Sequence, residues 1–149
     1  MAVKPIPDGY NSVTPYLIVQ GAVELIEFMK RSFGAQEIMP PMKRLNGIVM
    51  HAELRIGDSV VMLADPRGEF KPLISMLYLY VNDVDAVYKQ TLQAGASVVC
   101  EPADQFYGDR TATVRDPWGN IWGIATHKED VPPQELAKRA EAAMKQAGS

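Results

Sequence analysis

From Val49 to Ile56 the chain alternates, with Met50, Ala52, Leu54 and Ile56 on one side and Val49, His51, Glu53 and Arg55 on the other. A period of two predicts a strand with one face turned to a core. Gly57-Asp58 then supplies a tight turn, and Ser59 to Ala64 reads as a more buried return strand. Upstream, Thr14 to Val19 is rich in β-branched and aromatic residues and predicts another strand. After Gly21, apolar residues at 22, 25, 26, 29 and 33 form one helical stripe over Ala22 to Phe33, with Gly34 placed as a C-terminal cap. Gln36 to Met42 has strand character that Pro40 and Pro41 demote to an edge or interrupt. Pro5, Pro7 and Gly9 mark residues 1–11 as an extended lead-in.

The pattern begins again after a polar loop that opens at Asp65-Pro66-Arg67-Gly68. Ser75 to Val81 predicts a strand, Val84 to Leu92 a helix stopped by Gly95, and Ser97 to Glu101 a further strand. Thr111 to Arg115 and Ile121 to Thr126 form a hairpin closed by Asp116-Pro117-Trp118-Gly119-Asn120, where Trp118 and Trp122 read as packing residues. Tyr16-Leu17-Ile18-Val19 matches Tyr78-Leu79-Tyr80-Val81 at a shift of 62, and the turn glycines Gly57 and Gly119 keep the same shift. Gly34-Ala35 matches Gly95-Ala96 at a shift of 61. The order strand, helix, three strands is therefore an internal repeat, and two such small modules must share a core or an interface. The prediction is an α+β chain of two tandem βαβββ modules, about 12–66 and 73–127 within one domain spanning 12–127. Residues 128–149 add a helical tail whose thin stripe of Leu136, Ala140, Ala143 and Met144 either lies solvated on the surface or docks onto a partner subunit.

Composition narrows the function classes. The chain has 149 residues with 15 basic and 18 acidic side chains, a net charge of -3 that argues against nucleic-acid binding. No apolar run approaches the roughly 20 residues that cross a bilayer, so no membrane partner is expected. The single cysteine, Cys100, cannot form an internal disulfide, and a cytoplasmic location follows as an expectation. Cys100 sits in an apolar stretch, Val98-Val99-Cys100, where a thiol is normally inert, and no phosphate loop or serine elbow is present.

Several segments carry a family resemblance: Thr-Pro-Tyr-Leu (14–17), Met-His-Ala-Glu-Leu-Arg-Ile-Gly-Asp-Ser (50–59) and Met-Leu-Ala-Asp (62–65). Phe-Tyr-Gly-Asp-Arg (106–110), Asp-Pro-Trp-Gly-Asn (116–120) and Ile-Ala-Thr-His (124–127) continue it. With the tandem βαβββ order, the chain resembles the vicinal oxygen chelate superfamily, of the glyoxalase, bleomycin-resistance and dioxygenase kind, and within it the PhnB-like branch. The resemblance implies a curved sheet in each module, a helix on the convex side, a ligand cleft on the concave side and a homodimer. Metal-dependent members hold a divalent ion with four side chains on the first and last strands of each module. The matching positions here are Thr14 and Met76, then Met62 and Gly123, and none suits an ion that takes imidazole nitrogen or carboxylate oxygen.

The expectation is thus a metal-free protein, with no cofactor, whose cleft binds a small organic molecule. Tyr16, Met76, Tyr78 and Tyr80 fall on the cleft side, with Thr14 and Met62 beside them. His51, Glu53 and Thr113 would supply polar contacts, and Tyr107 and Arg110 belong to the implied rim, Arg110 facing an anionic group or forming an ion pair. His51 and Glu53 are also the candidate acid–base pair, although side chains two apart on a strand start about 7 Å from each other. The alternative is an enzyme (lyase, isomerase or dioxygenase) with a relocated divalent-metal site around His51 and Glu53. His127 reads as a strand-end residue able to carry a proton.

Overall fold

The computed structural model describes residues 2–148, so Met1 of the lead-in and Ser149 of the tail lie outside it. Module one contains β1 (Tyr16–Ile18), α1 (Ala22–Phe33), β2 (Gln36–Glu37), β3 (Met42–Lys43), β4 (Val49–Ile56) and β5 (Ser59–Ala64). Module two contains β6 (Met76–Tyr80), α2 (Val84–Gln93), β7 (Ser97–Asp104), β8 (Asp109–Arg115) and β9 (Ile121–His127), and α3 (Pro133–Ala147) follows. The prolines do break the second strand of module one, leaving the two short pieces β2 and β3 against β4. Gly34 closes α1 at φ 66°, donating to the Lys30 carbonyl at 3.0 Å, a left-handed cap that glycine adopts without steric cost.

The sheets repeat one topology. Their orders are β1-β5-β4-β2, with β3 also on β4, and β6-β9-β8-β7. In each, the first strand pairs in parallel with the last, Tyr16 opposite Met62 and Tyr78 opposite Gly123. The other pairings are antiparallel. Leu17, Leu54 and Leu63 of the first sheet and Val114, Trp122 and Ile124 of the second point inward with α1 and α2 into one core. Helix α1 joins the halves: Leu25 and Met29 belong to that core, and Phe28 and Phe33 set their rings 6.4 and 4.9 Å from Trp122. Neither module closes its apolar surface alone.

The alternation read along β4 holds from Ala52 onward and fails at its start. Val49 is fully buried in the core, because the pairing slips between Met42–His51 and Lys43–Val49 and leaves Met50 as an extra residue. Such a bulge turns the residues before it to the opposite face.

Equivalent strand ends anchor the two helices by different chemistry. Asp65, after β5, accepts from the backbone N–H groups of Gly21 and Ala22 at 3.0 and 3.1 Å, at the start of α1. Thr126, 61 positions on in β9, accepts from Val84 N–H at 3.0 Å, at the start of α2. Helix α3 has no buried residue and is tied to the body through Arg139, which bonds Glu129 and the Phe106 carbonyl.

Candidate functional site

With one face of each sheet committed to the core, the opposite faces carry the candidate chemistry. On the first sheet, register sets Tyr16, Met62 and Glu53 in a row across β1, β5 and β4. His51 Nε2 lies 2.7 Å from Glu53 Oε2, and His51 Nδ1 lies 2.9 Å from the Tyr16 hydroxyl. The backbone spacing along β4 does not prevent this contact, since the glutamate side chain reaches back along the strand to the imidazole. Glu53 is only 7% exposed, covered by the lead-in, and its second oxygen accepts from the Tyr10 hydroxyl. Burial works against the charge on Glu53, yet the hydrogen bonds from Tyr10 and His51 prevail and hold its carboxyl below the usual carboxylate range. Tyr10 escapes the sequence reading: a tyrosine in a Pro- and Gly-rich lead-in carries no periodic signal that it will fold back across a strand 43 residues on.

On the second sheet, Met76, Tyr78 and Tyr80 line the outer face of β6 and stay substantially exposed, at 67%, 46% and 68%. Their partners in β9 are Ile121, Gly123 and Ala125, and Thr113 of β8 follows Gly123 in the same row. The Tyr78 ring rests on Gly123 so closely that a Cβ there would fall 2.6 Å from Tyr78 Cδ2. Burial first, then the neighbouring Tyr107 phenol, pushes the Tyr78 hydroxyl well above the normal tyrosine range. Tyr80 makes a long 3.5 Å contact with Asp109, whose other oxygen meets His127 Nδ1 at 2.7 Å. Asp130 holds His127 Nε2 at 2.7 Å, and these two carboxylates raise the imidazole above its usual value.

A groove of about 820 Å3 runs along the free edge of β6. Thr14, Met76, Tyr78 and Tyr80 line it, closed by the β4–β5 turn and by Phe33. The Tyr16–His51–Glu53 cluster stands apart from the groove lining, so the candidates form two groups rather than one continuous pocket.

Two expectations need correction. Arg110 is no rim contact: it shares the inward face of β8 with Ala112 and Val114, forks onto Asp85 of α2 at 2.8 and 3.0 Å, and meets Asp104 at 3.2 Å. Its donors are committed to structural ion pairs. Cys100 is exposed, because β7 is an edge strand whose Val98 and Val99 are also open.

The register also tests the fit of a divalent ion at the positions the resemblance implies. Tyr16–Met62 and Tyr78–Gly123 are equivalent pairs, so Thr14, Met62, Met76 and Gly123 offer one hydroxyl, two thioethers and no donor at all. That set does not fit a hard or borderline cation. Among the described residues, no group of three or more His, Cys, Asp or Glu side chains is arranged to hold a metal.

The Glyoxalase/Bleomycin resistance protein/Dioxygenase superfamily model matches residues 10–124. The uncharacterized protein Mb0911c of Mycobacterium bovis is 33% identical over 136 residues, covering 84% of this chain and 89% of the relative. The crystal structure of TioX from Micromonospora sp. ML1 superposes with a TM-score of 0.68 at 23% identity, covering 78% of this chain and 98% of TioX. A PhnB protein from Bacillus cereus, described as a putative 3-demethylubiquinone-9 3-methyltransferase, gives 0.64 at 15% identity, with 78% and 99% covered. At these identities the two structures speak to the fold alone.

Proposed function

This chain belongs to the Glyoxalase/Bleomycin resistance protein/Dioxygenase superfamily, and from that premise we propose that it binds a small organic molecule without a metal, in the manner of a sequestration or resistance protein. The observation that carries this reading is the open aromatic face of β6 beside a groove of ligand size. Solvent-facing Met76, Tyr78 and Tyr80 give up favourable burial unless something covers them. Tyrosine and methionine suit a small aromatic or alicyclic body, since they combine apolar area, a few polar handles and adaptable shape. Residues 12–127 constitute the binding domain in this reading, with the lead-in and tail attached to it. The alternative, a relocated metal site at His51 and Glu53, has little support: both nitrogens of His51 already have partners, and no third ligand stands beside them.

A panel of aromatic and alicyclic compounds should raise the melting temperature of the wild-type protein. Gly123→Ala should remove most of that response while keeping the fold, because the new methyl displaces the Tyr78 ring at a position that needs no unusual backbone angle. An unresponsive wild-type protein, or a Gly123→Ala variant that binds equally well, would defeat the proposal.

A homodimer completes the picture. The outer sheet faces and the edges of β6 and β7 are open in one chain, and a second copy would cover them. Light scattering at micromolar concentration should give twice the 16.5 kDa of one chain, and a monomeric mass would refute this. No helix among the described residues is long and apolar enough to cross a membrane. Together with the lone cysteine, that accords with the cytoplasm as the proposed location.

A further inference from the structure

The hydrogen bonds on the first sheet have a direction. Glu53 is ionised and accepts from Tyr10 on one oxygen, so its other oxygen accepts the Nε2–H of His51. A neutral imidazole with its proton on Nε2 has a lone pair on Nδ1, and that lone pair accepts the Tyr16 O–H. The buried carboxylate needs partners to exist at all, whereas Tyr16, 42% exposed, could have left its hydroxyl to water. Carboxylate, imidazole and phenol instead stand end to end, and the phenol is the member open to a ligand. Thr14, two residues before it, lines the groove.

We propose that Glu53, His51 and Tyr16 form a proton relay whose working group is the Tyr16 phenol, acting on a neutral carbonyl compound that carries an α-hydrogen. In the forward step the Tyr16 oxygen takes the α-proton as the Tyr16 proton passes to His51 Nδ1. The substrate C–H bond breaks, its electron pair becomes the enolate, and the imidazolium is neutralised by the Glu53 carboxylate. Reversal returns a proton that has exchanged with solvent, so the net reaction is α-hydrogen exchange, or isomerisation where the enolate is reprotonated elsewhere. Nothing beyond proton transfer is required, and neither an oxidant nor a metal enters the balance. Tyr16 is the catalytic residue, and His51 and Glu53 act through it. The substrate class rests on the binding reading above, while the hydrogen-bond order does not.

Two measurements on the full chain test this. Proton–nitrogen NMR of the imidazoles should show His51 as the neutral Nε2–H tautomer with a slowly exchanging Nε2 proton, and Tyr16→Phe should shift its Nδ1 resonance. An Nδ1–H tautomer, or an Nδ1 signal indifferent to Tyr16→Phe, overturns the relay. In D2O, the wild-type protein should exchange the α-hydrogens of phenylacetone faster than buffer. Tyr16→Phe and His51→Gln should each lose at least tenfold of that acceleration with an unchanged far-ultraviolet spectrum. Chemical-shift perturbation by phenylacetone separates the two readings. A ketone that binds without exchanging sinks the relay and leaves the binding reading standing. Failure to bind with no exchange sinks the relay's substrate class, and the melting-temperature panel then decides the binding reading.

Discussion

Asp116→Ala should cost about 4 kcal/mol and lower the melting temperature by roughly 10 °C. Asp116 is 3% exposed at the β8–β9 turn, and its carboxylate accepts four hydrogen bonds. One oxygen takes the N–H groups of Trp118 and Asn120, each at 2.9 Å. The other takes Asn120 Nδ2 at 3.0 Å and Trp122 Nε1 at 2.9 Å. Alanine would strand the Asn120 amide and the Trp122 indole in the core, where no water replaces the lost acceptor. Unpaired buried donors cost about 1–3 kcal/mol apiece before any relaxation. The damage would spread in two directions. Asn120 Oδ1 also accepts from Ser75 N–H at 2.9 Å, which sets the entry to β6 and its tyrosines. Trp122 carries the packing of Phe28 and Phe33, and through them the contact of α1 with the second sheet. Asp116→Asn should fall between, since it keeps one acceptor and turns an amide N–H2 toward existing donors. Arg115→Ala, exposed next door, serves as the neutral control. Urea or thermal unfolding measures all three, and a loss under 3 °C for Asp116→Ala would remove the turn from this role.

That hub illustrates what a sequence discloses. Asp-Pro-Trp-Gly-Asn is legible as a turn because its residue types limit backbone angles locally. The link from Asp116 to the Trp122 indole crosses the turn and depends on how tightly the hairpin closes. The same boundary runs through the candidate site. The internal repeat, the helix over Ala22–Phe33 and the inward face of β4 from Ala52 follow from periodicity, and the structure has them there. Val49 departs because one extra residue in β4 reverses a face, and a bulge leaves the composition of a strand unchanged. The outer-face positions of Tyr16, Tyr78 and Tyr80 were readable from alternation. Their division between two sheet faces was not, since it depends on how the modules pack around α1. Arg110 was readable and misassigned: counting by twos from Ala112 and Val114 places it inward, facing Asp85. Tyr10 had no local signal at all, because its partner Glu53 is brought to it by the tertiary fold.

Asp65→Ala should cost about 2–3 kcal/mol at neutral pH, lowering the melting temperature by roughly 7 °C, and should weaken the acid dependence of stability. The carboxylate fixes three backbone donors: Gly21 and Ala22, where α1 begins, and Val49 at 2.8 Å, where β4 begins. The Gly21 cap position has no side chain of its own to satisfy those N–H groups, so the charge comes from the far end of β5. Burial opposes ionisation of Asp65, but the three N–H bonds outweigh it and depress its pKa below the ordinary value. A carboxyl with a lower pKa folded than unfolded stabilises the fold fully above its unfolded value, about 4. That contribution disappears as pH falls through the lower, folded value. Urea midpoints should therefore converge between wild type and Asp65→Ala as pH drops from 7 toward 3. Convergence should leave a residual acid loss in the variant, because Glu53 is depressed in the same direction and remains. A gap between the two proteins that stays constant with pH would show that Asp65 contributes geometry without charge. Module two already works on those terms: there the Thr126 hydroxyl holds the start of α2 and has no proton to gain in this range.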